Sequence, residues 1–373
     1  MIAGACVLVG GFFGFFLGRS TDDDDSRLSS QVIDLIEDNY YKDIDRKELE
    51  DASLEGIVRS LGDRFSQYLT PADRQRFEQS FEGSFEGVGM NVNEVKRGLV
   101  VVNVFDGSPA DKAGIRKDDV ITKVDGKSIA GEPAEVSTAK IKGKPGTRVT
   151  LEVVTSGSKR KRRLEIERER IELPVVRAKM RNRDGQKVGV VELVQFSDGS
   201  HGRLRSAIDK LLDRGAKGIV LDLRGDPGGL LNEAVLVASV FIEDGVVVST
   251  EGRKEPRRVF KAEGDAIDSD VPVVVLVDRG SASSSEIVTG ALRDRKRATV
   301  VGTRTFGKGV FQEFKDLSNG GAIDLTIGRY YLPSGKPVSR KGIPPQVKAR
   351  DNPRTERDEA LPVALEVLLD KSR

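Results

Sequence analysis

VPVVVLVDRGSASSSEIVTGAL runs from Val271 to Leu292. A short, continuous apolar run such as Val271 to Val277 reads as a strand buried on both faces. Asp278-Arg279-Gly280 follows as a turn. A serine cluster then opens a helix, expected over Ser285 to Arg293. Strand, loop and helix in that order form one unit of an α/β protein. The same texture recurs on either side. Val188 to Val194 and Gly218 to Leu223 are apolar strands, while Arg203 to Leu212 and Leu230 to Ile242 carry helical spacing. Residues from about Val175 to Arg350 are therefore expected to form an α/β core.

Towards the N-terminus the texture changes to short strands and turns, from about Phe85 to Arg168. Leu99 to Phe105 and Asp119 to Val124 are strands, the second closed by the Asp125-Gly126 turn. Ser108 to Gly114 is a short helix with a glycine stop. Thr147 to Val154 and Lys161 to Arg168 form a hairpin around Ser156-Gly157-Ser158. Gly87-Val88-Gly89-Met90, SPADKAGI (Ser108 to Ile115) and DDVITKVDGKSI (Asp118 to Ile129) together resemble a PDZ domain. The resemblance implies that Gly87, Val88, Gly89 and Met90 hold a peptide carboxylate by their backbone, with the peptide added as a strand. The basic run Lys159 to Arg163 passes into the mixed charges of Glu165 to Glu169, so it reads as an exposed strand face.

Before this region, Leu28 to Tyr41 and Lys47 to Leu61 space their apolar residues as helices. Thr70-Pro71-Ala72-Asp73 opens a third. Residues 1–18, MIAGACVLVGGFFGFFLG, carry no charge and are long enough to cross a bilayer. No A-x-A-like cleavage site follows, so an uncleaved transmembrane anchor is expected, joined by an acidic linker over residues 19–27. Cys6 within it reads as an apolar filler.

Composition narrows the chemistry. The chain has 373 residues, which suggests two or three domains at about 150 each. The net charge of +2 argues against a dedicated nucleic-acid binder. A single cysteine, Cys6, excludes an internal disulfide and a cysteine-based zinc site. A single histidine, His201, excludes a multi-histidine metal site. No metal and no cofactor is expected.

Three loops carry candidate chemistry: LDLRGDPGG (Leu221 to Gly229), DRGSASSSEI (Asp278 to Ile287) and TFGKGVFQ (Thr305 to Gln312). Singly each is weak. A serine at a helix start is usually a cap. Lys308 between two glycines lacks the upstream glycine of a phosphate loop. In this order, however, LDLRGDPGGL, GSASSSEIVTGAL and TRTFGKGVFQ, followed by RYYLPSGKPVSRKGIPP (Arg329 to Pro345), resemble the carboxyl-terminal processing, or tail-specific, proteases. The resemblance runs from about Leu28 to Leu369. It implies a ClpP/crotonase-like α/β serine-protease core over residues 171–350. A PDZ domain over 85–170, an N-terminal helical region over 28–84 and a C-terminal helix over 351–373 complete the plan.

By the same resemblance Ser283 is the nucleophile, Lys308 the base and Gln312 the residue that orients the lysine. This suits elementary chemistry. A serine hydroxyl needs a base beside it. A lysine, with an ordinary pKa of about 10.4, serves only where burial lowers that value. Phe306, Val310 and Phe311 are the expected source of that burial. The oxyanion needs N–H donors, expected from Ser284 and from Gly228 or Gly229. The chain departs from the family at Asp226, where asparagine is usual, at Ser284, where alanine is commoner, and at Pro345, where aspartate is usual. His201 is not needed by the matched constellation.

The resulting expectation is a membrane-anchored serine endopeptidase acting on proteins with apolar or unstructured C-termini. The resemblance places its soluble part outside the cytoplasmic membrane of a bacterial-type cell. A homo-oligomer and an adaptor protein are further expected partners. The alternatives are a catalytically silent PDZ scaffold that binds C-termini, which Asp226 favours, and an acyl-transfer enzyme on small substrates.

Overall fold

The computed structural model describes residues 22–158, 160–338, 341–352, 354–355 and 357–370. Lys159 of the basic run lies outside them, as do residues 1–18 with Cys6. The chain divides into two compact units. One holds the described residues up to Arg74 together with Gln312–Thr326; the other holds Gln75–Phe311 and the residues from Ile327 on.

Helix α1 spans Asp22–Asn39. It takes up most of the stretch expected as an acidic linker, because acidic side chains in a first turn favour a helix start. Its apolar stripe is exposed: Leu28 by 58%, Val32 by 48% and Leu35 by 55%. Helix α2, Arg46–Arg59, is capped by the Asp45 carboxylate, which accepts from Lys47 N–H at 2.9 Å. Strand β1 (Gln67–Leu69) and helix α3 (Pro71–Phe81) follow, the latter with its proline at the first helical position. The expected single-pass membrane placement is corrected here. Among the described residues no helix is long and apolar enough to cross a membrane.

Strand β2 (Ser84–Gly87) leads into a β-rich region. It comprises β3 (Met90–Val95), β4 (Gly98–Val104), helix α4 (Pro109–Lys112), β5 (Val120–Val124), β6 (Lys127–Ser128), helix α5 (Ala134–Ile141), β7 (Arg148–Val154) and β8 (Lys161–Glu167). The sheet order is β3-β4-β5-β7-β8, with β6 on β5. Its core is Leu99, Val101, Ile115, Ile121 and Leu151, all fully buried. The last basic residues of the run lie on a mixed-charge strand. Lys161 meets Glu152, and Arg162 meets the buried Asp119 at 2.6 Å. Strand β9 (Glu169–Glu172) returns to pair with β2.

The α/β core then runs β10 (Val176–Arg183), β11 (Gln186–Leu193), α6 (Ser200–Asp213), β12 (Ile219–Asp222), α7 (Leu231–Ser239), β13 (Val246–Gly252), β14 (Arg258–Lys261), β15 (Val273–Val277), α8 (Ser284–Asp294), β16 (Ala298–Gly302), β17 (Val310–Asp316), β18 (Ala322–Tyr331), β19 (Val347–Lys348) and α9 (Ala360–Asp370). The main sheet has the order β10-β11-β12-β15-β16-β19. β11, β12, β15, β16 and β19 are mutually parallel, and β10 is antiparallel to β11. The continuous apolar run of β15 is explained by its period of two. Val273, Val275 and Val277 face the cluster holding Leu204, Ile208, Val237 and Ile287 of the helices α6, α7 and α8. Val274 and Leu276 face Ala364, Leu365 and Leu368 of α9.

Helix α9 thus covers β12, β15 and β16 on one face of the sheet. Leu368 is 1% exposed, and Gly218 leaves the space its side chain fills: a Cβ there would lie 2.9 Å from Leu368 Cδ2. The substitution Leu368→Ala is expected to lower the unfolding free energy by about 2–5 kcal/mol. Equilibrium urea denaturation followed by circular dichroism measures this. An unchanged midpoint would mean that α9 contributes nothing to the sheet.

Candidate active site

The three motif loops leave the C-terminal ends of β12, β15 and β16, which are neighbours in the sheet. Such ends are where parallel sheets present their chemistry. The first loop is moored at its base by Arg224. Its guanidinium meets Asp222 at 2.7 Å, Asp351 at 2.9 Å and Asp358 at 2.8 Å. These carboxylates hold the Arg224 pKa well above its ordinary value, and burial pushes Asp222 up. The first and second loops are tied together by side chains. Asp278 Oδ1 accepts from Gly225 N–H at 2.9 Å and Gly280 N–H at 2.8 Å, and Ser281 Oγ donates to Leu223 O at 2.7 Å.

Ser283 stands at the N-cap of α8 with φ 53° and ψ −113°. Positive φ is rare for a residue with a Cβ and marks a strained turn. The strain is held from two sides. Ser283 N–H donates to Glu286 Oε2 at 3.1 Å, and Gly228 lies directly against the turn. A Cβ at Gly228 would fall 2.9 Å from Ser283 Cβ and 2.8 Å from Ser284 N, so no side chain fits there.

Glu286 organises the rest. Its side chain is fully buried at the start of α8. Oε2 accepts from Ser283 N–H and, at 2.8 Å, from Lys308 N–H. Oε1 accepts from Thr305 Oγ at 2.6 Å and from Gly307 N–H at 2.8 Å. One carboxylate thereby joins the backbone of Ser283 to the backbone of Lys308. Burial pushes its pKa up, against four donors that favour the charged form. The third loop is secured on its far side as well, since Ile343 N–H donates to Thr305 Oγ at 2.7 Å. Glu286 is absent from the expectations above. The S-x-x-E spacing from Ser283 to Glu286, a capping-box pattern, is the signal that points to it.

Lys308 is half-buried. Phe306 is 42% exposed, and its backbone N–H donates to Ser281 O at 2.9 Å. Val310 and Phe311 are half-buried, Phe311 with its ring against Tyr330. Gln312 belongs to the other unit, where its amide donates to Phe65 O and, at 3.1 Å, to Asp324 Oδ2.

Of the expected oxyanion donors, Gly228 N–H is already engaged. It donates to Asp226 Oδ1 at 2.8 Å. Gly229 N–H and Ser284 N–H have no protein acceptor among the described residues. Burial pushes the Asp226 carboxyl up to about 8. His201 lies in the first turn of α6, with Nδ1 at 3.0 Å from Glu233 Oε2. Glu233 also accepts from Gly199 N–H and Ser200 Oγ, so the pair caps a helix.

In the PDZ-like region Gly87 to Met90 form the turn into β3, which is an edge strand. Gly89 has φ 86°, and a Cβ there would lie 2.2 Å from Ser108 Cβ. Val88 O accepts from Ala110 N–H at 2.7 Å, and Gly89 O from Phe105 N–H at 3.0 Å. The carbonyls are thus spent. The N–H groups of Val88 and Gly89 have no protein acceptor among the described residues.

Comparison with known proteins decides the family. The model of peptidase family S41 matches residues 187–349, and that of the PDZ domain matches 87–166. The carboxy-terminal processing protease CtpA of Bacillus subtilis (strain 168) is 36% identical over 331 residues, covering 88% of this chain and 70% of its own. The chain belongs to peptidase family S41. A probable CtpA-like serine protease of Staphylococcus saprophyticus is 36% identical over 335 residues, 89% of this chain and 67% of its own length. The chain thus spans about two thirds of the length of these curated relatives. Among solved structures, the photosystem II D1 C-terminal processing protease is 28% identical with a TM-score of 0.52, over 92% of this chain and 97% of that one. A putative S41 protease from Bacteroides fragilis, 17% identical with a TM-score of 0.51 over 91% and 95% of the two chains, shares the fold. The S41 assignment makes the chain a serine-type, C-terminal processing peptidase with an α/β core and a PDZ domain.

The Glu286 arrangement has a sharp consequence for this S41 chain. Glu286→Gln keeps the shape but turns an NH2 group onto donors. Each buried donor left unpaired costs about 1–3 kcal/mol. The variant is expected to melt at a lower temperature and to react more slowly than the parent with a fluorophosphonate. A variant that melts and reacts as the parent does would show that the carboxylate does not hold the Ser283 turn.

Proposed function

We propose that the chain is an endopeptidase that cleaves proteins recognised through their C-termini, with Ser283 as nucleophile and Lys308 as general base. The observation that carries this is the single buried carboxylate of Glu286, bonded to the backbone of both residues. Lys308 Nζ, as the free amine, takes the proton from Ser283 Oγ as that oxygen attacks the peptide carbonyl. Gly229 and Ser284 N–H, with Gly228 N–H when released from Asp226, receive the negative oxygen. The protonated lysine returns its proton to the leaving amine, and water then releases the acyl group by the same relay. Gln312 is the proposed orienting residue, four positions after Lys308 on β17. Both N–H groups of its amide are spent, which leaves its carbonyl oxygen to accept from an amine.

Residues 85–170 are the proposed peptide-binding region. A free edge at β3 suits an added strand, and the two N–H groups at Val88 and Gly89 suit its carboxylate. The preferred substrates are proteins with apolar or unstructured C-termini. A homo-oligomer and an adaptor remain part of the reading, the first supported by the exposed stripe of α1.

The test is cleavage of an unstructured protein ending in small apolar residues. The parent is expected to produce fragments. Ser283→Ala is expected to produce none, and Lys308→Ala to be slower by about 10²–10⁴-fold. Retained cleavage by Ser283→Ala would reject the assignment. Binding of the C-terminal peptide with no cleavage by the parent would point to the scaffold.

A further inference from the structure

The loop that carries Gly228 and Gly229 contains a carboxyl group with no task in the reaction above. Asp226 is fully buried. Its backbone is stitched to the nucleophile turn: Ala282 N–H and Ser285 Oγ both donate to Asp226 O at 3.0 Å. Its side chain folds back within the loop, where Oδ1 accepts from Gly228 N–H at 2.8 Å. Oδ2 is enclosed and has no hydrogen-bond partner among the described residues.

Five charged groups of its own loop and of the neighbouring elements are engaged elsewhere. Asp222 and Arg224, in its own loop, pair with each other and with Asp351 and Asp358. Asp278, at the end of β15, accepts from Gly225 and Gly280. Glu286 of α8 binds Ser283, Thr305, Gly307 and Lys308. Glu233 of α7 binds the start of α6. Among the described residues no cation pairs with Asp226. An ionised carboxylate here would hold an unsolvated oxygen, whereas a neutral acid leaves only an unpaired hydroxyl, which costs far less.

We propose that Asp226 is a positioning residue that serves the site as a neutral acid, and that its ionisation switches hydrolysis off. Two effects act together. A charged Oδ1 grips Gly228 N–H more tightly and withdraws it from the oxyanion. The new charge also lies in the loop whose Gly228 abuts Ser283, and it opposes the negative oxygen formed there. The proton goes to solvent. Burial pushes this carboxyl up to about 8, so the switch falls on the alkaline side of neutrality.

The inference rests on the reading of Ser283 given above, and the test separates the two. The full chain, Asp226→Asn and Ser283→Ala are compared on the same unstructured protein from about pH 6 to about pH 10. Asparagine keeps an oxygen for Gly228 N–H but cannot ionise. The parent's kcat/KM is expected to fall about tenfold per pH unit above about pH 8, as for a single ionisation. Asp226→Asn is expected to follow the parent on the acid side and to lack that fall. An unaltered alkaline fall, or an equal loss at every pH, overturns the proposal. Cleavage by Ser283→Ala would instead sink the reading of the site.

A second readout needs no activity. A carboxyl whose folded pKa is raised contributes stability below its unfolded value, and that contribution is lost as pH rises through the folded one. The melting temperature of Asp226→Asn should therefore gain on the parent between about pH 4 and about pH 8. A constant difference across that window would also overturn the proposal.

Discussion

A fully buried carboxylate, bonded to four donors on two loops, is the contact on which the site depends. Glu286 reaches Ser283, Thr305, Gly307 and Lys308 from the first turn of α8. Left alone, a buried charge would be expelled. Surrounded by donors, it instead dictates where those donors stand. The positive φ of Ser283 and the course of the third loop both follow from satisfying it.

The scaffold makes this possible because β12, β15 and β16 are adjacent and parallel. Their loops emerge side by side, so residues 226–229, 283–286 and 305–308 meet although the chain separates them widely. Two glycines then set the closeness of approach. Gly228 abuts Ser283 and Ser284, and Gly342 abuts Thr305 O, where a Cβ would fall 2.1 Å away. Sheet, buried carboxylate and missing side chains act as one device that holds a strained serine in a fixed place.

The PDZ domain uses a related economy. Gly89 turns the chain into an edge strand, and hydrogen bonds from Phe105 and Ala110 occupy the carbonyls of the turn. The N–H groups of Val88 and Gly89 have no protein acceptor among the described residues, which suits the proposed carboxylate loop.

Much of this was legible in the order of residues. The apolar runs of β12 and β15, the glycine stops and the Pro71 helix start are local signals, because short-range geometry decides them. The three candidate loops were recognisable as motifs for the same reason. Four features were not. The acidic residues from Asp22 on read as a linker, though nothing in them breaks a helix. The apolar Phe306 was expected to help bury Lys308, and only the folded chain shows it 42% exposed. Gly228 N–H was counted among the oxyanion donors, and only the folded loop shows that Asp226 takes it. Glu286 lay in plain view three residues after Ser283. The sequence alone determined the order of the elements, the residue types at the three loops and the glycines that admit close contact. The tertiary structure decided which donor meets which acceptor, because hydrogen bonds and burial depend on residues that are distant in the chain and near only after folding.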